Sequence, residues 1–550
     1  MPLTFIDFGT LQWGAGEHGD GLALAENVVP AYGVKRPLEG GLKSGANTVA
    51  DSALNSVYAH IWPANPSAAS YVGDESTELH SSKTNIYVYN RTANTWTSIR
   101  SGLAAAGEPP AGRWASFGND VWYTNRIDNL QVRAGNTGSF VDGTTTSTFK
   151  PIARDICVVK NYMMAFDLAN ATFGPDAYAW SVPGNPAVWD AAASGGGGTG
   201  FIRSRPGQIM RAVGGEFARV LKRGSMHALQ FTGDVTGTNG GTWREDVLAD
   251  NVGTNWPSSV VRGDQGAIYF LGQDYYFYKQ VGMNPPERIS PYAISAWLAD
   301  VDFSPGAVNR SVPSTMTEED LWVQGTYHPQ TGVVFWAYRG LSDGVATKTR
   351  GIFYSTVTGE FTTWNGVGEA GTTTSVCTLG SLPTPSTTET LAGIVATTQA
   401  GTSSYRFTFS RSVVFTARLV TRQQALALTQ QEAPVAAPVR ITGAIPLVST
   451  EVGFTGVPAP GSYEPLPAAL SVTVTTSNDP NFKTVMSGAT IVNPRQETAT
   501  FVSNADEDTS LFPFVESQGA WQYFELQLPN TAGTELRAMP GLWIAWEVVP

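Results

Sequence analysis

Cysteine is almost missing: 550 residues carry two, Cys157 and Cys377. That excludes a disulfide framework and any cysteine-ligated zinc centre, and leaves room for at most a single bridge between the pair. Histidine is scarce too. The five, His18, His60, His80, His227 and His328, are scattered with no two at a metal-ligand spacing, so each reads as a packing or surface residue. Charge is sparse at 15% of residues, and no basic run exceeds two, as at Lys35-Arg36 and Lys222-Arg223. With 34 Lys and Arg against 46 Asp and Glu the net charge is −12, which argues against a basic groove that grips nucleic acid. No window reaches 18 uninterrupted apolar residues, so no membrane-crossing helix is expected. The opening "MPLTFIDFGTLQWGAGEHGDG" lacks the basic start and apolar run of a secretory leader, and the expectation is a soluble chain made in a cytoplasm.

What is present is turn chemistry and apolar surface. The 58 glycines and 34 prolines make up about a sixth of the chain, below the roughly 25 to 30% of low-complexity sequence. They punctuate short strands instead. Hydrophobic residues reach 42% and aromatics 11%, with 16 tryptophans, enough to bury a large core and, beyond it, surfaces between subunits.

Strand pairs dominate from about Ser81 to Trp364. "NIYVYNRTANTWTSI" predicts strands at Ile86 to Tyr89 and Thr95 to Ile99 around a turn, and "GIFYSTVTGEFTTW" repeats the design at Ile352 to Ser355 and Phe361 to Trp364. Related strands begin near Ile86, Trp122 and Tyr162, then Ala228 and Ile268, at spacings of 36, 40 and 40 residues, before a gap of 66 to Val334. Periods near 40 to 50 residues are those of four-stranded propeller blades. The expected fold is therefore all-β: an irregular β-propeller over residues 45–433, preceded by an extended N-terminal arm over 1–44. Short helices are expected at Ile289 to Asp300 and Arg422 to Ala433, the second running into the proline-rich boundary at Pro434 to Pro438. Beyond it, "LSVTVTTS", "WQYFELQL" and "LWIAWEVV" alternate or run apolar, predicting a C-terminal β-sandwich-like domain over 439–550.

A notably apolar stretch that is not a membrane span is "AIYFLGQDYYFYKQ", Ala267 to Gln280, in which nine of fourteen residues are aromatic or aliphatic. Alternation sends Ile268 and Phe270 to one face and Tyr269 and Leu271 to the other. After a turn at Gly272-Gln273-Asp274, Tyr276 and Tyr278 face one way, Tyr275 and Phe277 the other. Both faces are greasy. A sugar platform needs one such face, whereas a strand pair between neighbouring blades needs two.

Catalytic patterns are wanting. No P-loop, nucleophile elbow or dinucleotide fingerprint occurs, and no catalytic, metal or cofactor residue is assigned. "TGTNGGTW", Thr236 to Trp243, resembles the sialidase Asp box but has Thr238 in the aspartate's place. The acidic clusters "TEED", Thr317 to Asp320, and "ADED", Ala505 to Asp508, read as solvated turns rather than glycosidase carboxylates. The run Gly195, Gly196, Gly197 and Gly198 does not sit between a strand and a helix, so it reads as a loop tip or gate element rather than a phosphate cradle.

Several stretches, in order, resemble the tail nozzle or tail hub proteins of short-tailed bacteriophages, the tail tubular protein B and tail stabilisation group. They are "LALAENVVPAYGVKRPLEG" at Leu22 to Gly40 and "GRWASFGNDVWYTNRIDNLQV" with Trp114, Phe117-Gly118 and Thr124-Asn125. "PIARDICVVKNYMMAFD" follows with Pro151, Ala153 and Arg154, and "AYAWSVPGNPAVWD" with Trp180-Ser181, Gly184, Pro186 and Trp189. The aromatic hairpin completes the set, with Tyr276 where the family commonly has glycine. The resemblance implies a non-enzymatic virion subunit without cofactor, assembled in the host cytoplasm into a homo-oligomeric, six-fold tail ring. Tail adaptor proteins would sit above it, fibre, spike or needle proteins below, and viral DNA would pass through without sequence-specific binding. The competing readings are a propeller glycan hydrolase and a carbohydrate-binding tail-tip adhesin.

Overall fold

The computed structural model describes most of residues 76–290 and residues 323–338 and 350–364 with their side chains; elsewhere it describes little beyond the strands named below. Four-stranded antiparallel meanders follow one another six times, as the turn-punctuated sequence predicts. The first blade runs Ser56–Ile61, Ser76–Ser81, Ile86–Asn90, Thr95–Arg100, and the second Arg113–Phe117, Asp120–Thr124, Gln131–Arg133, Val141–Asp142. The third is Ala153–Val159, Tyr162–Leu168, Ala177–Trp180, Gly198–Phe201, and the fourth Ile209–Val213, Ala218–Lys222, Met226–Phe231, Trp243–Ala249. The fifth is Val261–Arg262, Ile268–Leu271, Phe277–Gln280, Glu287–Arg288, and the sixth Val323–His328, Val333–Tyr338, Arg350–Ser355, Phe361–Trp364. Tight turns make the meanders possible. Between Phe117 and Asp120 only two residues reverse the chain, and Gly118 supplies the left-handed backbone (φ 59°) that such a hairpin requires.

First strands of successive blades lie side by side around an axis: Arg113–Phe117 beside Ala153–Val159, that strand beside Ile209–Val213, and Val261–Arg262 beside Val323–His328. The circle is closed by a composite sheet. Thr378–Ser381, Ile394–Ala400 and Ser403–Ser410 form three of its strands, Gly40–Lys43 from the chain's beginning adds the fourth, and Val49–Ala50 also pairs with Ser403–Ser404. Its strand Thr378–Ser381 lies against both Val323–His328 and Ser56–Ile61, joining the sixth blade to the first.

The described strands of the N-terminal arm pair with the rest of the fold. Leu3–Ile6 pairs with Ala538–Val548, and Leu22–Glu26 pairs with Phe415–Thr421 and meets Phe361–Trp364 in parallel. Val28–Ala31 pairs with Val34–Pro37. Thr362 donates its hydroxyl to the Val28 carbonyl, and Thr363 donates to the Ala25 carbonyl at 2.9 Å. Through Leu22–Glu26 the sixth blade continues into a nine-stranded sheet with Phe415–Thr421, Trp521–Asn530, Leu470–Ser477 and Arg495–Phe501. A second C-terminal sheet joins Leu3–Ile6, Ala538–Val548, Val439–Ser449 and Gln518–Gly519. Phe415–Thr421 bonds to the C-terminal Trp521–Asn530, so strands on either side of the proline-rich stretch share one sheet. The helix expected at Arg422 to Ala433 lies outside the described residues, as do residues 291–300 of the other.

Packing between blades is built on apolar clusters, with buried charges set among them. The aromatic hairpin lies there on both faces, as its alternation requires. Ile268, Phe270 and Tyr278 pack with Leu221, Met226 and Ala228 of the fourth blade. On the other face Phe277 meets Trp336 (4.3 Å between centroids) and Phe361, while Tyr269 meets Tyr354, all of the sixth. One detail differs. The turn is longer than expected: Gly272 N–H donates to the Tyr276 carbonyl, Tyr275 adopts φ 67°, and its ring lies against Trp256 instead of beside Phe277 in the strand.

Phe270 is fully buried, so Phe270→Ala leaves a cavity between the fourth and fifth blades. The expected loss is about 3 to 5 kcal/mol in denaturant unfolding. An unchanged midpoint would contradict the inter-blade placement.

Candidate functional site: the propeller axis

Inner strands of a propeller line its axis, so whatever polar groups they carry converge there. Four of those strands, and the turn leading into a fifth, bring polar side chains to a cavity of about 190 Å³: Ser56 from the first blade, Arg113 from the second, Arg211 from the fourth and Gln324 from the sixth, with Ser258 from the turn before the fifth. Arg113 donates to the Ser258 hydroxyl at 3.0 Å. Arg211 reaches Asp155 of the third blade at 2.6 Å, and that carboxylate also accepts the backbone N–H groups of Ala212 (2.6 Å) and Ile156 (3.0 Å). Trp114 donates its indole N–H to Ser56 at 2.9 Å, tying the first blade to the second.

Deeper charges act as inter-blade pins. Asp167 is buried and receives Arg126 at 3.2 Å, Arg154 at 3.3 Å and the Gln208 amide at 2.7 Å. Burial pushes its carboxyl above the usual range, and the two guanidiniums pull against that rise. Arg154 stands in the motif at Pro151 to Arg154; its ion pair with Asp167 lies within the third blade, and its guanidinium also reaches the Met210 sulfur of the fourth at 3.5 Å. Lys222 is buried likewise and donates to the backbone carbonyls of Ile202 (2.8 Å) and Arg205.

A nucleophile, base and acid do line up in the fourth blade. Ser225 Oγ lies 2.8 Å from His227 Nε2, and His227 Nδ1 lies 2.9 Å from Glu245 Oε1, with Ser204 donating to the same carboxylate. Acyl transfer on that line needs a substrate at Ser225. Ser225 is 1% exposed and His227 0%, so the arrangement clasps adjacent strands and offers no nucleophile.

The other candidates from the sequence separate. Gly198 opens a strand, where an added Cβ would meet the Trp180 ring at 2.5 Å, and at Gly197 it would meet the Trp189 backbone at 2.9 Å. Gly196 accepts the Trp180 indole N–H at 2.7 Å. These three glycines are thus pressed against tryptophans, which a freely projecting tip would not be; Gly195 lies outside the described residues. Trp189 and Trp243 are buried, so neither supplies a sugar platform. His80 bonds Glu78 at 2.8 Å and His328 bonds Thr331 at 2.8 Å. Cys157 is buried and free, with its thiol pushed well up by burial and by Asp155. His18, Cys377, the His60 side chain and both acidic clusters lie outside the described residues. Among the described residues no group of three or more His, Cys, Asp or Glu could hold a metal ion. No described helix is long and apolar enough to cross a membrane.

The axial cavity went unread in the sequence, although a signal exists. Arg113, Arg211 and Arg262 are each the only charge in a short inner strand, in "RWASF", "IMRAV" and "VR".

No protein-family model matches the chain, and no curated protein matches it. Among solved structures it is similar to U3-55K, at 8% identity and a TM-score of 0.38 over 67% of this chain and 98% of that one. It is also similar to the Cps50 (Swd1) β-propeller domain of Myceliophteria thermophila, at 8% identity and a TM-score of 0.38 over 66% and 99%.

Burial holds His227 below the ordinary histidine range, with Glu245 opposing. The unfolded chain, near 6.5, then binds the proton more readily than the fold does. Stability should be full above about pH 6.5 and fall as the pH drops through and below that value. Denaturant midpoints compared between neutral pH and pH 5 should show a shallower acid loss in His227→Gln than in the parent; equal losses would contradict the clasp.

Proposed function

We propose that this chain is a non-enzymatic structural subunit of a short viral tail, assembling as a closed ring that forms a nozzle or hub for DNA ejection. The observation that carries the reading is the ordered set of family-like motifs together with where their side chains are spent. Trp114 stacks against Tyr58 of the first blade (5.8 Å) and packs on Tyr123 and Phe140. Arg154 is engaged by Asp167, and Trp189 is buried with its indole N–H donated to the Pro186 carbonyl at 2.8 Å. The hairpin joins three blades. Motif residues committed to holding blades together suit a part selected for shape and rigidity.

Geometry bears on how DNA would pass. The propeller's own axis holds a cavity of about 190 Å³, far too small for a duplex, so the channel in this reading runs between copies. A closed ring needs heterologous contacts related by rotation. Six copies of a chain with net charge −12 would carry −72 formal charges. An acidic lumen repels phosphates and keeps DNA moving, where each basic contact would add salt-sensitive affinity and friction. Adaptor proteins above and fibre, spike or needle proteins below complete the arrangement, which resides in the virion tail.

Negative-stain electron microscopy of the purified protein, and of virions decorated with antibody against it, tests the reading. Rings centred on the tail axis are expected. A monomer absent from virions that cleaves glycans, or one that binds host polysaccharide at the tail tip, would overturn it in favour of the enzyme or the adhesin.

A further inference from the structure

Arginines gather around the propeller axis of a protein that is acidic as a whole. Arg113 and Arg211 line the axial cavity, and Arg262 stands two residues beyond Val260, which also lines it, so strand alternation turns both toward the same side. Arg219 lies behind, 5% exposed, donating to the Gly266 carbonyl and to Gln280 Oε1 at 3.4 Å with no described carboxylate in contact. Burial chiefly, and then the charge of Arg262, lower its guanidinium to about 10. Two described carboxylates nearby are engaged. Asp155 is saturated by Arg211 and two backbone N–H groups, and Asp264 accepts the Tyr327 hydroxyl.

Gln324 adds the second observation. It is 4% exposed, lines the cavity, and its buried amide oxygen has no hydrogen-bond partner among the described residues. A half turn of the amide exchanges its oxygen for its N–H donors, so this group can serve an acceptor placed in the cavity. Ser258, held by Arg113, can direct its own hydroxyl proton the same way. The space corresponds to about six waters' worth of liquid volume, the size of a small anion with some hydration.

We propose that the axial cavity binds a small oxyanion, a phosphate or carboxylate group, held between the Arg113 and Arg211 guanidiniums, the Gln324 amide and the Ser258 hydroxyl, with Arg262 at its approach. Guanidiniums and buried donors suit such an anion because charge-assisted hydrogen bonds form in a site where water competes poorly. The anion would also tie inner strands of the second, fourth and sixth blades to the turn before the fifth.

Isothermal titration calorimetry of the full chain with inorganic phosphate, and separately with succinate, each against chloride at matched ionic strength, tests the proposal. Saturable binding of one or both at one site per chain is expected; phosphate alone identifies a phosphate site, succinate alone a carboxylate site. Gln324→Leu should weaken binding roughly tenfold or more, the loss of a hydrogen bond to a charged group. Arg262→Gln, on an exposed side chain that leaves the fold intact, should weaken it severalfold, while Arg244→Gln on the outer edge of the fourth blade should leave it unchanged. Absence of binding by either anion, or affinity that survives both axial variants, would overturn the proposal.

Discussion

Closure of the propeller by the chain's own beginning is the constraint on which the rest depends. A circle of blades gains its last interface only when the final sheet is complete, and here that sheet takes its fourth strand from Gly40–Lys43, paired to Ser403–Ser410 across more than three hundred residues. The same N-terminal run ties Leu22–Glu26 between the sixth blade and the C-terminal strands, and Leu3–Ile6 onto Ala538–Val548. Contacts of such sequence separation are slow to form, because the chain loses loop entropy before the pairing rewards it. Once formed they link propeller and C-terminal sheets through backbone hydrogen bonds.

Given that frame, the polar interior follows. Blades that bury both faces must satisfy every charge they carry between neighbours, and Asp167, Asp155 and Lys222 do so with partners from adjacent strands or blades. The left-handed backbone at Asp167 (φ 53°) is held by this pairing, since its carboxylate is fixed from three directions. A serine, histidine and glutamate line up in the fourth blade by the same logic, with burial deciding that they clasp rather than react.

Fold class was legible because turns and aromatic strands recur at blade length, and the aromatic hairpin was legible because apolar residues occupied both of its faces. Blade phase was not. Second strands begin at Ser76, Asp120, Tyr162, Ala218, Ile268 and Val333, whereas the sequence period had matched Ile86 and Ala228, both third strands, with second strands elsewhere. Strands buried on both faces look alike, so nothing local marks which place in the blade each takes. The N-terminal residues show no clear period, so the pairing of Gly40–Lys43 with a remote strand was not legible. The axial cavity was hidden for a related reason: its residues come singly from distant strands, and only the circle brings Arg113, Arg211 and Gln324 together.

Closure by the N-terminal strands is tested most directly by scanning calorimetry of the full chain beside a version lacking residues 1–43. One cooperative transition is predicted for the full chain, and for the shortened one a broadened transition at markedly lower temperature, because the last sheet and the bridge to the C-terminal strands are both opened. An unchanged transition in the shortened chain would contradict the account.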